Sequence, residues 1–119
     1  MSHSTNRRPR GTLQRHARVF AALGDPTRAA LIEKLAAGPA MSIARLTEGQ
    51  RLTRQAISKH LRILTHAGLV RSVRRGRENR FAYRPEALDD ARCSLDQISR
   101  QWDDALERLK AFVERDPVL

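Results

Sequence analysis

A chain of 119 residues is long enough for one domain with a modest core, but not for a large enclosed active site. A formal net charge of +10 and a pI near 11.4 point to a polyanionic partner. One cysteine excludes an intrachain disulfide, and no run of about 18 apolar residues exists to span a membrane. No apolar segment follows the N-terminal charges as a secretion signal would require, so a cytoplasmic location is expected. The charge is unevenly spread. Residues 1–86 hold 18 Lys and Arg against 5 Asp and Glu, whereas residues 87–119 hold 5 against 8. A basic body with a slightly acidic end predicts one surface for nucleic acid and another for something else.

In chain order, residues 1–11 are polar and aperiodic and are expected to form a disordered tail, with the domain running over 12–119. Arg7, Arg8 and Arg10 of that tail could lie along phosphates or enter a minor groove, or could simply be solvated. Residues 12–23 read as a helix with Leu13, Ala17, Phe20 and Leu23 along one side, ended by Gly24. Asp25 then stands as an N-cap before Pro26 at the first helical position, a strong start signal. The helix over 26–37 turns Leu31, Ile32 and Leu35 to the core and stops at Gly38 and Pro39. Residues 42–49 read as a short helix with Ile43 and Leu46 inward, followed by a turn through Gly49 and Leu52.

The next stretch, 53–67, organises the rest. Ile57, Leu61 and Leu64 fall on one face of a helix, Thr53 is its N-cap candidate, and Gly68 its C-terminal stop. The opposite face carries Gln55, Ser58, Lys59 and Arg62, with Arg54 in the first turn and no carboxylate. Those are side chains that read base edges and hold phosphates. An amphipathic surface helix with a merely solvated polar face is the alternative, and the neighbours decide against it. Residues 69–73 are β-prone, 74–79 form a polar turn around Gly76, and 80–84 return as a strand with Phe81 and Tyr83 alternating. Helix, turn, helix and basic hairpin predict a winged helix-turn-helix, mainly α with a small β-hairpin.

From residue 85 or 86 to about 114, before Pro117, a long helix is expected. Leu88, Ala91, Leu95, Ile98, Trp102, Ala105, Leu109 and Phe112 recur at spacings of three and four, a heptad seam. A body of some 70 residues cannot cover a seam this long, so part of it should meet another chain rather than only the first helix.

Taken together, ALGDPTRAALIEKLAAG, AISKHLRILTHAGLV and RRGRENRFAYR resemble the arsenic-repressor (ArsR/SmtB-type) family of small bacterial winged-helix regulators, from about Thr12 to Phe112. The resemblance implies a transcriptional repressor that binds a double-stranded operator of inverted-repeat form. It also implies a homodimer built from the first and last helices, through Leu13, Phe20, Leu95, Ile98, Trp102, Leu109 and Phe112. It places Arg54, Gln55, Ser58 and Lys59 against bases and nearby phosphates, and Arg74, Arg75 and Arg77 on a wing over the adjoining backbone or minor groove; the helix pattern adds Thr53 and Arg62 as DNA-binding candidates.

The family's metal sensors carry Cys-x-Cys before the recognition helix, or Asp and His clusters on the last helix. Here the first location reads Ile43-Ala44-Arg45-Leu46. The last helix offers Asp89, Asp90, Cys93, Asp96, Asp103 and Asp104 without a histidine. No metal site and no cofactor is therefore expected, and any effector would be an unidentified small molecule.

Other residues weigh less. His60 borders the core and is expected to be a half-buried packing histidine rather than a phosphate contact, and His3, His16 and His66 are scattered. Cys93 lies off the seam beside carboxylates and is expected to be inert. Trp102 reads as an apolar anchor rather than a stacking platform. No glycine-rich phosphate loop and no nucleophile–base set is present, so no enzymatic activity is expected. An RNA-binding protein would normally present more aromatics than the five in this chain. A protein-interaction adaptor using the last helix is the remaining alternative.

Overall fold

The computed structural model describes residues 9–115. The side chains of residues 9–13 and 15 lie outside the description, and with them Arg10 and the expected interface residue Leu13. Arg7, Arg8 and Pro117 also lie outside the described residues. The elements follow as α1 (Pro9–Leu23), α2 (Pro26–Ala36), β1 (Met41–Ser42), α3 (Ile43–Thr47), α4 (Arg54–His66), β2 (Val70–Arg75), β3 (Glu78–Tyr83) and α5 (Pro85–Arg115).

Local chemistry explains most of these bounds. Asp25 Oδ2 accepts from the Arg28 amide at 3.1 Å, Ser42 Oγ from Arg45 at 3.1 Å and Thr53 Oγ1 from Ala56 at 3.1 Å, so three helices start on a side-chain cap. The end of α4 is a Schellman turn: Gly68, at φ +81°, donates to Thr65 O and Leu69 to Leu64 O, each at 3.0 Å. α1 begins at Pro9 rather than residue 12, because proline at the first helical position gives up no hydrogen bond and already has a helical φ.

The three strands form an antiparallel sheet in the order β1-β3-β2. β1 is absent from the sequence expectation: two residues, Met41 paired with Phe81 and Ser42 with Arg80, are too few to show a period. The hairpin is also tighter than expected. Arg75 pairs with Glu78, so the turn shrinks from 74–79 to Gly76 and Arg77, with Gly76 at φ +62° as two-residue hairpins require.

Leu31, Leu46, Ile57, Leu61, Leu64, Leu69 and Val70 are fully buried and hold α2, α3, α4 and β2 around one core, with Phe81 and Tyr83 half-buried against it. Within the single chain α1 packs along a different side from the expected Leu13, Ala17, Phe20 and Leu23 stripe. Its covered side is His16, Val19 and Ala22, with Leu23 and Phe20 half-buried, while Ala17 is exposed. A polar pair lies in that contact: His16 Nδ1 is 2.8 Å from Ser94 Oγ, both buried between α1 and α5. A buried hydrogen bond satisfies both groups, so a histidine occupies a position that apolar patterning leaves empty.

α5 spans 31 residues, about 46 Å of helix. Only its first third is well covered, with Ala91 and Ser94 buried and Ala87 and Leu88 half-buried. The rest projects. The radius of gyration is 20.4 Å, against about 14 Å for a compact chain of this length.

Candidate nucleic-acid interface

With Ile57, Leu61 and Leu64 turned inward, α4 leaves Arg54, Gln55, Lys59 and Arg62 exposed and Ser58 half-buried, with Thr53 exposed at the cap. Its first turn holds no acidic residue. A helix start carries partial positive charge on unpaired amides, which Asp or Glu usually offsets. Here Arg54 adds to that charge instead, and the helix end suits a phosphate.

The wing adds further cations. Arg74, Arg75 and Arg77 are exposed, and among the described residues none of them, nor Arg54, Lys59 or Arg62, joins an ion pair. Strand alternation divides the wing. Arg74 shares a face with Val70 and its partner Asn79, whereas Arg75 shares the other with Val73 and its partner Glu78. Arg80 is held by Glu78 at 2.9 Å and contributes little net charge. Two cations were missed by the sequence reading: exposed Arg45 on α3 and exposed Arg51, two residues before the α4 cap. Their signal was available, since both are basic residues in the stretch that leads into the polar face.

A helix-turn-helix domain model matches residues 23–73, which run from the end of α1 to β2. The HTH-type transcriptional regulator Rv2034 of Mycobacterium tuberculosis is 36% identical over 89 residues, covering 75% of this chain and 79% of its own. The ArsR-like transcriptional regulator from Rhodococcus sp. RHA1 superposes with a TM-score of 0.83 at 37% identity, over 88% of this chain and 95% of that one. The chain belongs to the ArsR family of winged helix-turn-helix transcriptional regulators. The homodimeric winged helix-turn-helix DNA-binding domain of Mb0332 from Mycobacterium bovis is also similar, with TM-score 0.62, 25% identity, and coverage of 85% and 91%.

In this ArsR-family regulator His60 is half-buried and bonded within the protein: Arg28 Nη1 lies 3.3 Å from its Nδ1. Asp25 Oδ2 is also near, at 3.9 Å, a separation that counts as an ion pair only if Nδ1 is protonated. The Arg28 contact is the shorter of the two, and because a guanidinium can only donate, Nδ1 is the acceptor in it. Asp25 caps the α2 amides. The Arg28 amide holds the Asp25 carboxyl below its ordinary range, against some desolvation, and the Arg28 charge adds to that. A depressed folded value makes this cap's stabilisation complete above the ordinary carboxylate range and lost as pH falls through the folded value.

The regulator's α5 carries an exposed apolar stripe. Leu95 is 48% exposed, Trp102 65%, Leu109 58% and Phe112 59%, and Leu106 and Val113 widen it beyond the expected seam. Ile98 and Ala105 on the same stripe are half-buried. Cys93 is exposed on the other side. Among the described residues, no three of His, Cys, Asp and Glu gather where they could hold a metal ion, and no helix is long and apolar enough to cross a membrane.

Proposed function

We propose that the protein is a homodimeric repressor of an inverted-repeat operator, with α4 in the major groove and the wing on the adjoining backbone. The observation that carries this reading is the carboxylate-free polar face of α4, exposed while its apolar face is buried. Arg54, Gln55, Ser58 and Lys59 serve as base readers near the helix start. Thr53, Arg62, Arg74, Arg75 and Arg77 position the backbone, joined by Arg45 and Arg51. Dimerisation through α1 and α5 is supported by the uncovered stripe on α5, and a similar domain is homodimeric.

The test separates helix from wing. Arg54→Ala or Gln55→Ala should cost about 1–3 kcal/mol on operator and relax base preference. Arg75→Ala or Arg77→Ala should weaken binding to every duplex alike and flatten its salt dependence. Gel shifts on operator and random DNA measure both, and four variants acting identically on the two DNAs would refute the division.

The effector, in this reading, is not a metal. Zinc, cadmium or arsenite should leave operator binding unchanged, because α3 offers no thiol and α5 no imidazole. Stoichiometric tight metal uptake with loss of DNA binding would contradict it.

A further inference from the structure

Arg28 reaches three helices at once. Its Nε donates to the Ala22 carbonyl in the last turn of α1 at 2.8 Å, and its Nη1 to His60 Nδ1 on α4 at 3.3 Å. Its own amide donates to the α2 cap Asp25 at 3.1 Å. Because the guanidinium offers no lone pair, this hydrogen bond uses the tautomer in which His60 Nδ1 is the acceptor. At the far end of α4 no comparable joint exists among the described residues. An open groove lies between α1 and α4 there, lined by the polar Gln14, Arg18 and His66 as well as Ala17, Val19, Ala21 and Ala67. Side chains that make no directed bond across a groove do not fix an angle, whereas two directed hydrogen bonds from one rigid plane do fix it.

We propose that Arg28, acting through His60, is the positioning residue that sets the angle of the recognition helix to α1 and thereby the half-site spacing the protein accepts. The inference rests on the dimeric inverted-repeat reading, in which α1 belongs to the platform shared by two subunits. One base pair of spacing rotates the second half-site by about 34° around the duplex, so a few degrees held at the joint in each subunit select among spacings.

The experiment uses the full chain and an operator selected from random duplexes by the wild-type protein. Its half-sites are then moved apart by one, two or three base pairs, beside a probe holding a single half-site. Arg28→Lys keeps the charge, but a single ammonium cannot bridge Ala22 and His60 as the fork does. His60→Leu removes the acceptor, and His60→Asn restores an oxygen near the position of Nδ1. Arg28→Lys and His60→Leu should remain dimeric and bind the single half-site within about twofold of wild type, while the preference for the native spacing falls about tenfold. His60→Asn should recover most of that preference.

Variants that melt earlier yet keep the wild-type spacing preference would show the joint to be merely structural, and the proposal would fall. Equal losses on half-site and full operator would also overturn it, by making His60 a direct DNA contact. A wild-type protein indifferent to spacing would instead refute the dimeric reading, and this inference with it.

Discussion

Trp102→Ala and Leu109→Asp are expected to yield monomers that no longer hold the operator, although neither residue lies near α4 or the wing. In the single chain Trp102 is 65% and Leu109 58% exposed, so neither supports the fold of its own subunit much. Their loss should therefore register in association rather than in unfolding, apart from whatever stability the dimer itself confers. A large aromatic near the middle of an apolar stripe is the kind of residue on which an interface concentrates its energy. Truncating one typically costs about 2–4 kcal/mol, or roughly thirty- to a thousand-fold in the dimer Kd. Leu109→Asp adds a desolvated charge and should be at least as severe. A monomer presents one recognition helix and loses the gain from closing the second half-site intramolecularly. Light scattering beside gel shifts on each variant measures both consequences. A variant that stays dimeric, or a monomer that still binds the full operator tightly, would place the interface elsewhere.

How much of this was legible in the residues depended on whether a position acts locally. Asp25 before Pro26, Thr53 before a periodic run and Gly68 after it are local instructions, and α2 and α4 start and stop where those residues say. Ile57, Leu61 and Leu64 were readable because burial on one face of a long helix has a period. The hairpin was readable as a hairpin, but its turn length depends on pairing Arg75 with Glu78, which neither residue signals alone. β1 depends on β3 for its existence. The burial of His16 against Ser94 was not legible, since the two lie 78 positions apart and only their hydrogen bond makes a buried site out of two polar residues. The Arg28–His60 joint was hidden for the same reason, since its partners sit 32 positions apart. For the candidate site the polar face of α4 was read from local pattern. The division of Arg74 from Arg75 needed the folded hairpin, whereas Arg45 and Arg51 could have been read from their place ahead of the polar face.

Binding to duplex DNA is expected to weaken steeply with salt, and this is the second large effect. The basic body carries Arg54, Lys59 and Arg62 on α4 and Arg74, Arg75 and Arg77 on the wing, with no ion pairs among the described residues to neutralise that charge internally. Most of the acidic residues of residues 87–119 ride on α5, which projects away from the core. Charge of one sign is thus gathered where α4 and the wing lie, and a dimer doubles every phosphate contact. Each phosphate neutralised releases condensed counterion, so if about 6–10 are contacted the affinity should drop roughly 10³–10⁵ between about 50 and 200 mM salt. Random duplex should show a similar slope from a weaker start, because phosphate contacts carry no sequence information. Removing Arg77 should reduce the slope by about one for each phosphate it leaves unneutralised, while removing Gln55, which is uncharged, should lower operator affinity and leave the slope intact. Titrations of operator, random duplex and single-stranded RNA across that salt range decide the matter. A shallow slope on operator, or single-stranded RNA bound as tightly as operator, would mean that the basic face does not act as a duplex-reading surface.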